Sequence, residues 1–497
     1  MQNIFQAISR PAGKIYLVGG AVRDSLMGYT PKDQDYLVTG MAYSDLVELL
    51  SHFGRVDLVG KSFGVIKFKY DGVEYDFSLP RREKSTGQGH KDFEVTYDPN
   101  LSVREDLSRR DFSMNAIAMN VMTGKIIDPY NGRDDIKNKR LRLVFKDAFV
   151  EDPLRILRAV QFMARFDLTP DAALIESMKK NAHRVATVSP ERISTELVKL
   201  LKAPKPSIGF RLMQETGVLE QFLPEMATLM GVPQPKAYHA FDAWGHSLAA
   251  MDAMPVSRAK SNRDLVWLRL TALIHDLAKL VCISFKDELA NPDADTLKPF
   301  EAFLNSKENY FAEFEKLANA AFKRIVRYGS WSTPHFYKHD QVGAFMARHI
   351  LTRLKFTAVD GVYIPVERMV KLIDQHMFCA DCDSTPKTLR KFLVKVGRED
   401  VFPQIRLRIA DRLGKGFPDL DVSEWLRFAK KLRTLHHGQK SALTVKDLPI
   451  TGNDVMTVLG IKPCKKVGEV LAALFQAVVD DPALNDRDIL LAKITSV

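Results

Sequence analysis

Two regimes of apolar and polar positions divide this chain. Up to about residue 148 the apolar runs are short and interrupted by glycine, whereas from Phe149 onward they recur at helical spacing. The first run, Ile15, Tyr16, Leu17 and Val18, stops at Gly19-Gly20, and the set Ala21, Val22, Leu26 and Met27 follows, closed by Gly28. That order predicts a strand, a tight turn and a short helix. Pro31 breaks the chain, and Asp33-Gln34-Asp35 leads into a second strand-like run, Tyr36, Leu37 and Val38. Leu46, Leu49, Leu50 and Phe53 form a helical stripe ended by Gly54. Val65 to Tyr70 and Val73 to Leu79 read as strands joined by Asp71-Gly72, a two-residue hairpin signal. Phe112, Ile117 and Val121 are spaced as on a helix, and Asp128-Pro-Tyr-Asn-Gly132 marks a turn with a helix beyond at Ile136. The expected class is α+β multidomain: an N-terminal α/β head on a small mixed sheet, then all-α regions.

The chemistry concentrates in the head. A glycine turn before a helix lets backbone N–H groups approach a phosphate, and Arg23 adds positive charge on the first helical turn. If Asp33 and Asp35 lie on a strand, its two-residue period points both to one face. Like charges that close need a cation, and oxygen ligands suit Mg²⁺ bridging to substrate phosphates. Asp76, on the second hairpin strand, could supply a third carboxylate. The polar, glycine-bearing segment Arg81 to His90 reads either as a mobile loop closing over substrate or as a plain surface loop. Arg109, Arg110 and Asn115 offer donors to phosphate and ribose. In Glu151-Asp-Pro-Leu-Arg-Ile-Leu-Arg158, Pro153 and the acidic pair mark a helix start, and Asp152 and Arg155 share a face. That pair is either an ordinary salt bridge or a carboxylate and guanidinium imitating the edge of a nucleobase.

Composition narrows the partner. A chain of 497 residues, 46% hydrophobic, can bury more than one core, and its net charge of +11 suits a phosphate-rich partner, nucleic acid first. The four cysteines are too scattered for a disulfide framework, and Cys379-Ala-Asp-Cys382 stands without a second pair, so reduced thiols are expected. The N-terminus lacks a signal-peptide core and no run approaches the roughly 20 apolar residues of a membrane span, so the expected location is cytoplasmic, with no membrane partner.

In order, L-V-G-G-A-V-R-D, K-D-x-D, R-R-D-F-S-M-N-A, D-P-Y-N-G-x-x-D and E-D-P-L-R-I-L-R resemble the bacterial class II tRNA nucleotidyltransferases, the CCA-adding enzymes and their poly(A) polymerase relatives. The likeness is dense over residues 14 to 230. It implies a nucleotidyltransferase head in which Gly20 and Arg23 contact nucleotide and Asp33 and Asp35 bind Mg²⁺. Arg110 and Arg158 would hold the triphosphate, and Asp152 with Arg155 would read the base. The implied partners are tRNA, CTP and ATP, and the implied reaction is untemplated addition of a 3′-terminal CCA. A CC- or A-adding specialist and a poly(A) polymerase remain alternatives. Gln161 stands where many relatives carry an arginine, which removes one cationic contact.

A second constellation follows: His246 in FDAWGHSL, His275-Asp276 in ALIHDLAKL, His339 in FYKHDQVGA and Asp411 in RIADRLGKG. Imidazoles and carboxylates in this set suit a divalent transition metal. The pattern resembles the HD domain of a subset of these nucleotidyltransferases, which implies Ni²⁺, Mn²⁺ or Co²⁺ there and phosphatase or 2′,3′-cyclic phosphodiesterase activity. Ala278 replaces the usual glycine of HD-x-G-K, and Asp287 to Pro334 is longer than usual, so an inactive remnant is the competing expectation. Trp425 to Leu435 reads as a helix with a basic face. Leu448 to Leu471 reads as helix, turn, helix, with Cys464 where glycine is common and Lys462, Lys465 and Lys466 facing either tRNA backbone or solvent. The expected divisions are 1–148 head, 149–230 neck and body, 231–424 HD domain and 425–497 tail. Two other classes compete: an HD phosphohydrolase with a degenerate head, and a non-catalytic RNA-binding scaffold.

Overall fold

The computed structural model describes residues 1–10, 13–31, 33–60, 65–85, 93–254, 263–289, 303–306, 309–359, 361–436 and 442–496. They form two compact units, Met1–Pro224 and Glu225–Val497, so the division falls a few residues before the expected boundary at 230.

In the first unit the strands are β1 (Lys14–Val18), β2 (Asp35–Thr39), β3 (Arg55–Gly60), β4 (Val65–Tyr70), β5 (Val73–Ser78), β6 (Arg81–Ser85), β7 (Phe93–Tyr97), β8 (Ala118–Asn120) and β9 (Ile126–Ile127). Seven of them make one mixed sheet in the order β3-β4-β5-β2-β1-β8-β9, in which β2 and β5 run parallel and the other pairs antiparallel. Alternation assigns the faces. Ile15, Tyr36, Val38, Ile66, Phe68 and Phe77 pack under Ile4 and Ile8 of the helix Gln2–Ser9 and Leu46 and Leu50 of the helix Tyr43–Ser51. Tyr16, Val18 and Leu37 face Val103, Leu107, Ala116 and Ala118 on the other side. Asp35, two residues before Leu37, and Asp76, one before Phe77, belong to this second face. The Asp71-Gly72 turn has φ of 50° and 78°, the paired left-handed conformation of a two-residue hairpin.

Two expectations in the head are corrected. The helix read from Phe112, Ile117 and Val121 is a 3₁₀ turn, Ser113–Asn115, followed by β8. Residues 111 to 118 are all buried, and a continuous buried run carries no period that separates helix from strand. The expected loop from Arg81 begins instead as β6, paired with β7; residues 86–92 lie outside the described residues. The neck is helical as expected: Leu154–Phe166 begins right after Pro153, followed by Ala172–Asn181, Pro190–Leu201 and Ser207–Glu215.

The second unit is a helical assembly. Helices Ala243–Asp252, Arg263–Ile274, His339–Arg353, Val366–Asp374 and Val401–Leu413 surround the histidine and aspartate residues. It is not purely α: Ile283–Phe285 pairs with Pro334–Phe336, and Ala358–Val359 with Val362–Tyr363. The first ribbon joins the two ends of the long insertion. The tail supplies Ser423–His436, whose Trp425, Phe428 and Leu432 face a local core, and the helix pair Gly452–Leu459 and Lys465–Asp480. No helix among the described residues is long and apolar enough to cross a membrane. Cys379 is exposed, Cys382 buried, and both are free thiols.

Candidate functional sites

The face of the sheet that carries Asp35 and Asp76 opens into a cavity of about 600 Å³ lined by Gly20, Arg23, Arg110, Asp152, Arg155 and Arg158, among others. Gly19 has φ of 66°, and a Cβ there would lie 2.6 Å from Arg110 Nη1. The positive φ is what calls for glycine in this turn, and the Arg110 guanidinium lies against it. Asp35 and Asp76 are direct register partners across the parallel β2–β5 pair, which points both carboxylates to one face. Asp33 precedes the strand and is exposed, so the in-register pair is Asp35 with Asp76 rather than Asp33 with Asp35. Burial pushes the Asp35 carboxyl up; Arg110 pulls it down, and Asp76 and Asp33 push it further up. A carboxylate with too little positive charge beside it fits a divalent cation held through oxygen, Mg²⁺ being the hard ion suited to it.

Around this pair the arginines are held in a relay. Arg158 Nε donates to Asp111 Oδ2 at 2.7 Å, Asn115 Nδ2 to Asp111 Oδ1 at 2.9 Å, and Arg23 Nη1 to Asn115 Oδ1 at 2.7 Å. Arg23 also binds Asp24 and lies about 5 Å over the rings of Phe162 and Phe166. It is a buried tie between the glycine turn and the neck helix, not an open surface charge. Arg109 and Arg110 share the buried Asp106. The D-P-Y-N-G-x-x-D segment is architectural: Asp128 accepts from the Gly132 and Arg133 N–H groups, and buried Asp135 accepts from Ser113, Arg140 and Arg142. That anchors the Asn115 turn from behind.

The expected Asp152–Arg155 pairing does not form. Arg192 binds Asp152 at 3.0 Å, while Arg155 reaches Glu151 at 3.4 Å and donates to the Arg109 carbonyl at 3.1 Å. Asp152 stands outside the helix that carries Arg155, with an extended backbone (φ −136°), so i,i+3 helical spacing does not apply. Both still face the cavity. Arg192 was missed; it lies in the first turn of the helix opened by Ser189-Pro190, and no motif ties it to Asp152 in sequence. Gln161 is buried, with Oε1 lacking a hydrogen-bond partner.

In the second unit the five expected residues converge. His246 Nε2 lies 3.1 Å from Asp276 Oδ2, 3.3 Å from Asp411 Oδ1 and 3.4 Å from His275 Nε2. His275 Nε2 is 3.1 Å from Asp276 Oδ2, and His339 Nε2 is 3.5 Å from Asp276 Oδ1. A sixth residue, His376, joins them, its Nε2 3.2 Å from that of His339. It lies two residues past the amphipathic helix Val366–Asp374 and belongs to no HD spacing, which is why sequence reasoning passed over it. His275, His339 and His376 each set Nδ1 2.7 Å from a backbone carbonyl, those of Ala272, Phe336 and Ile373. The carbonyl only accepts, so each Nδ1 carries a proton, and in the neutral ring each Nε2 turns a lone pair inward. The carbonyls fix each ring's orientation with Nε2 toward its neighbours, as in histidines that bind metal through Nε2. Burial pushes His339 down to about 4. Asp276 is held well below the usual carboxylate range: burial opposes this, but the neighbouring His275 and Lys279 prevail. Lys279 Nζ sits 2.6 Å from Asp276 Oδ2. Ala278 is fully buried without a positive φ, so its position makes no demand for glycine.

The mixed sheet, glycine turn and carboxylate pair thus lie beneath an arginine-lined cavity. Residues 15–142 match the family described as the poly A polymerase head domain, 167–230 a probable RNA-binding site of polymerase A, and 426–494 a putative second domain of tRNA nucleotidyltransferases. The three matches follow one another along the chain in that order. It is 36% identical over 272 residues to the Multifunctional CCA protein of Pasteurella multocida and 39% identical over 272 residues to that of Xanthomonas campestris pv. campestris. Each match covers 54% of this chain and 63% of the relative, so the chain spans less than two thirds of these relatives' length. The CCA-adding enzyme of Bacillus stearothermophilus, solved in complex with CTP, shares the fold at a TM-score of 0.60 and 23% identity, covering 99% of this chain and 95% of that one.

Proposed function

We propose that the protein is a tRNA nucleotidyltransferase that adds a 3′-terminal CCA from CTP and ATP without a template. The observation that carries the reading is the in-register Asp35–Asp76 pair on the wall of a cavity built from arginines. A triphosphate in this cavity would meet Arg110 and Arg158, whose charges favour the developing negative charge on the pyrophosphate leaving group. The 3′-hydroxyl of tRNA would attack the α-phosphorus, and no covalent enzyme intermediate is needed. Asp35 and Asp76, with Asp33 beside them, would hold Mg²⁺. When bound, the ion supplies charge neutralisation and a more acidic hydroxyl. Asp152, fixed by Arg192, and Arg155 present an acceptor and a donor to the base. The similarity to Multifunctional CCA proteins supports tRNA, CTP and ATP as substrates. The test is incubation with tRNA transcripts ending before CCA, after C and after CC, each nucleotide supplied separately. A full CCA enzyme extends all three in turn, a specialist only some, a poly(A) polymerase runs on with ATP, and a scaffold incorporates nothing.

A second reading applies to the other unit: a metal phosphohydrolase acting on phosphomonoesters or 2′,3′-cyclic nucleotides. The inward lone pairs of His275, His339 and His376 beside Asp276 favour it, a donor set that fits Ni²⁺, Mn²⁺ or Co²⁺. When bound, such a metal supplies Lewis acidity and an activated water. Lys279 would bind the ester phosphate. Hydrolysis assays with each metal, run beside the incorporation assay, separate this reading from the first.

A further inference from the structure

The cavity-facing row of the sheet does not end at the two carboxylates. Lys67 of β4 is the register partner of Asp76 in β5, and Asp76 that of Asp35 in β2, so the three side chains stand abreast on one face. Val65 and Ser78, the next pair along the same strands and on the same face, line the cavity. Lys67 Nζ lies 2.6 Å from Glu74 Oε1 and 3.7 Å from Asp76 Oδ1. We infer that Lys67 is a contact for the 3′ end of the acceptor RNA: it holds the phosphodiester joining the last two nucleotides and so aims the 3′-hydroxyl past Asp76. The inference rests on the nucleotidyltransferase reading above.

The order of the strands supplies the direction. β1, β2, β5 and β4 are consecutive in the sheet, and Arg110 stands at the β1 end, against Gly19 and acting on Asp35. A triphosphate held by Arg110 therefore releases its pyrophosphate on that side. Attacking and leaving oxygens lie roughly in line in phosphoryl transfer, so the nucleophile comes from the opposite side, over β5 and β4. Lys67 is there, one strand spacing of about 4.8 Å beyond Asp76. An RNA strand arriving by that route brings an anionic phosphodiester towards carboxylates that repel it, and a cation beside Asp76 offsets the repulsion. Glu74 lets a lysine occupy this place without blocking Asp76, because it takes the short bond and parks the ammonium at the longer distance. An ammonium has three donor protons, and one bond to Glu74 leaves others for phosphate oxygens. A bridge made only for folding is the competing account. Lys67 and Asp76 are half-exposed and Glu74 exposed, and an ion pair in that setting adds little to stability.

The test uses the full chain and a tRNA transcript ending in CC, with ATP as the nucleotide. Lys67→Met keeps the apolar stem and removes the charge. It is expected to raise KM for tRNA about five- to ten-fold, as loss of one phosphate contact does, and to leave KM for ATP within about two-fold and the melting temperature unchanged. Lys67→Arg should restore most of the loss. Binding of fluorescein-labelled tRNA, followed by anisotropy in EDTA, should show the slope of log affinity against log salt falling by about 0.7, the value of one single-strand phosphate contact. A substrate whose last phosphodiester is a neutral methylphosphonate fixes the position. The parent protein should lose on it the factor that Lys67→Met loses on ordinary tRNA, and Lys67→Met should lose nothing further. Additive losses, an unchanged tRNA KM and salt slope, or a raised KM for ATP in place of tRNA each overturn the inference and leave the nucleotidyltransferase standing. A parent protein that adds no nucleotide to any transcript overturns that reading and the inference with it.

Discussion

The two sites solve opposite electrostatic problems. In the head, cations outnumber anions around an open cavity, and each carboxylate in the relay, Asp106, Asp111 and Asp24, is used to aim an arginine. In the second unit the histidines and Asp276 are buried, with imidazole nitrogens gathered around carboxylate oxygens. The first arrangement awaits an anion, the second a cation.

Breaking the head should have the largest effect. Asp35→Ala is expected to lower CTP and ATP incorporation by a factor on the order of 10³ or more, since it removes half of the carboxylate pair. Phosphoester hydrolysis by the second unit should be unchanged. Incorporation at the parent rate would sink the assignment. The reciprocal change, His275→Ala with Asp276→Ala, should abolish hydrolysis in metal-supplemented assays and leave incorporation within about two-fold. Its thermal unfolding must be followed as well, because ligands tie several helices together.

A smaller effect sharpens the head itself. Asp152→Ala should cost roughly 10- to 100-fold in preference for CTP and ATP over GTP and UTP, more than it slows the best nucleotide, because a lost base-edge bond mainly admits wrong partners. Arg192→Ala should reproduce part of this loss, since Arg192 fixes Asp152. Selectivity unmoved in both variants would place base reading elsewhere.

The smallest effect is on acid stability. Burial works to raise the Asp111 carboxyl, but the Arg158 charge and the Asn115 bond outweigh it and hold it below the usual range. A depressed folded value means the contribution is complete above about pH 4 and is lost as pH falls through that depressed value. Asp111→Asn should therefore melt lower at pH 7, with a shallower fall between pH 4 and 2, worth on the order of 1 kcal/mol. Equal slopes in parent and variant would show that Arg158 does not hold the carboxylate.

What could be read from the sequence follows the range of each interaction. The Asp71-Gly72 hairpin and the Pro153 helix start are local, and both elements formed where expected. The His246, His275, Asp276, His339 and Asp411 set was legible because its members sit in separate short motifs. Arg192 and His376 were not, because each meets its partners only through packing of helices distant in sequence. Asp152 and Arg155 both line the cavity as expected, but not through a shared helical face, because Asp152 lies outside the helix.

The ribbon of Ile283–Phe285 with Pro334–Phe336 carries one more consequence. Three register pairs clamp the ends of the insertion immediately before His339, so the histidine takes its position from the clamp and not from the length of chain between the strands. Closing a longer loop costs only about 0.6 kcal/mol per doubling. The firmer constraint is packing: Tyr310 stacks on His349 and Phe303 packs on Phe345, so the insertion lends apolar cover to the helix that His339 begins.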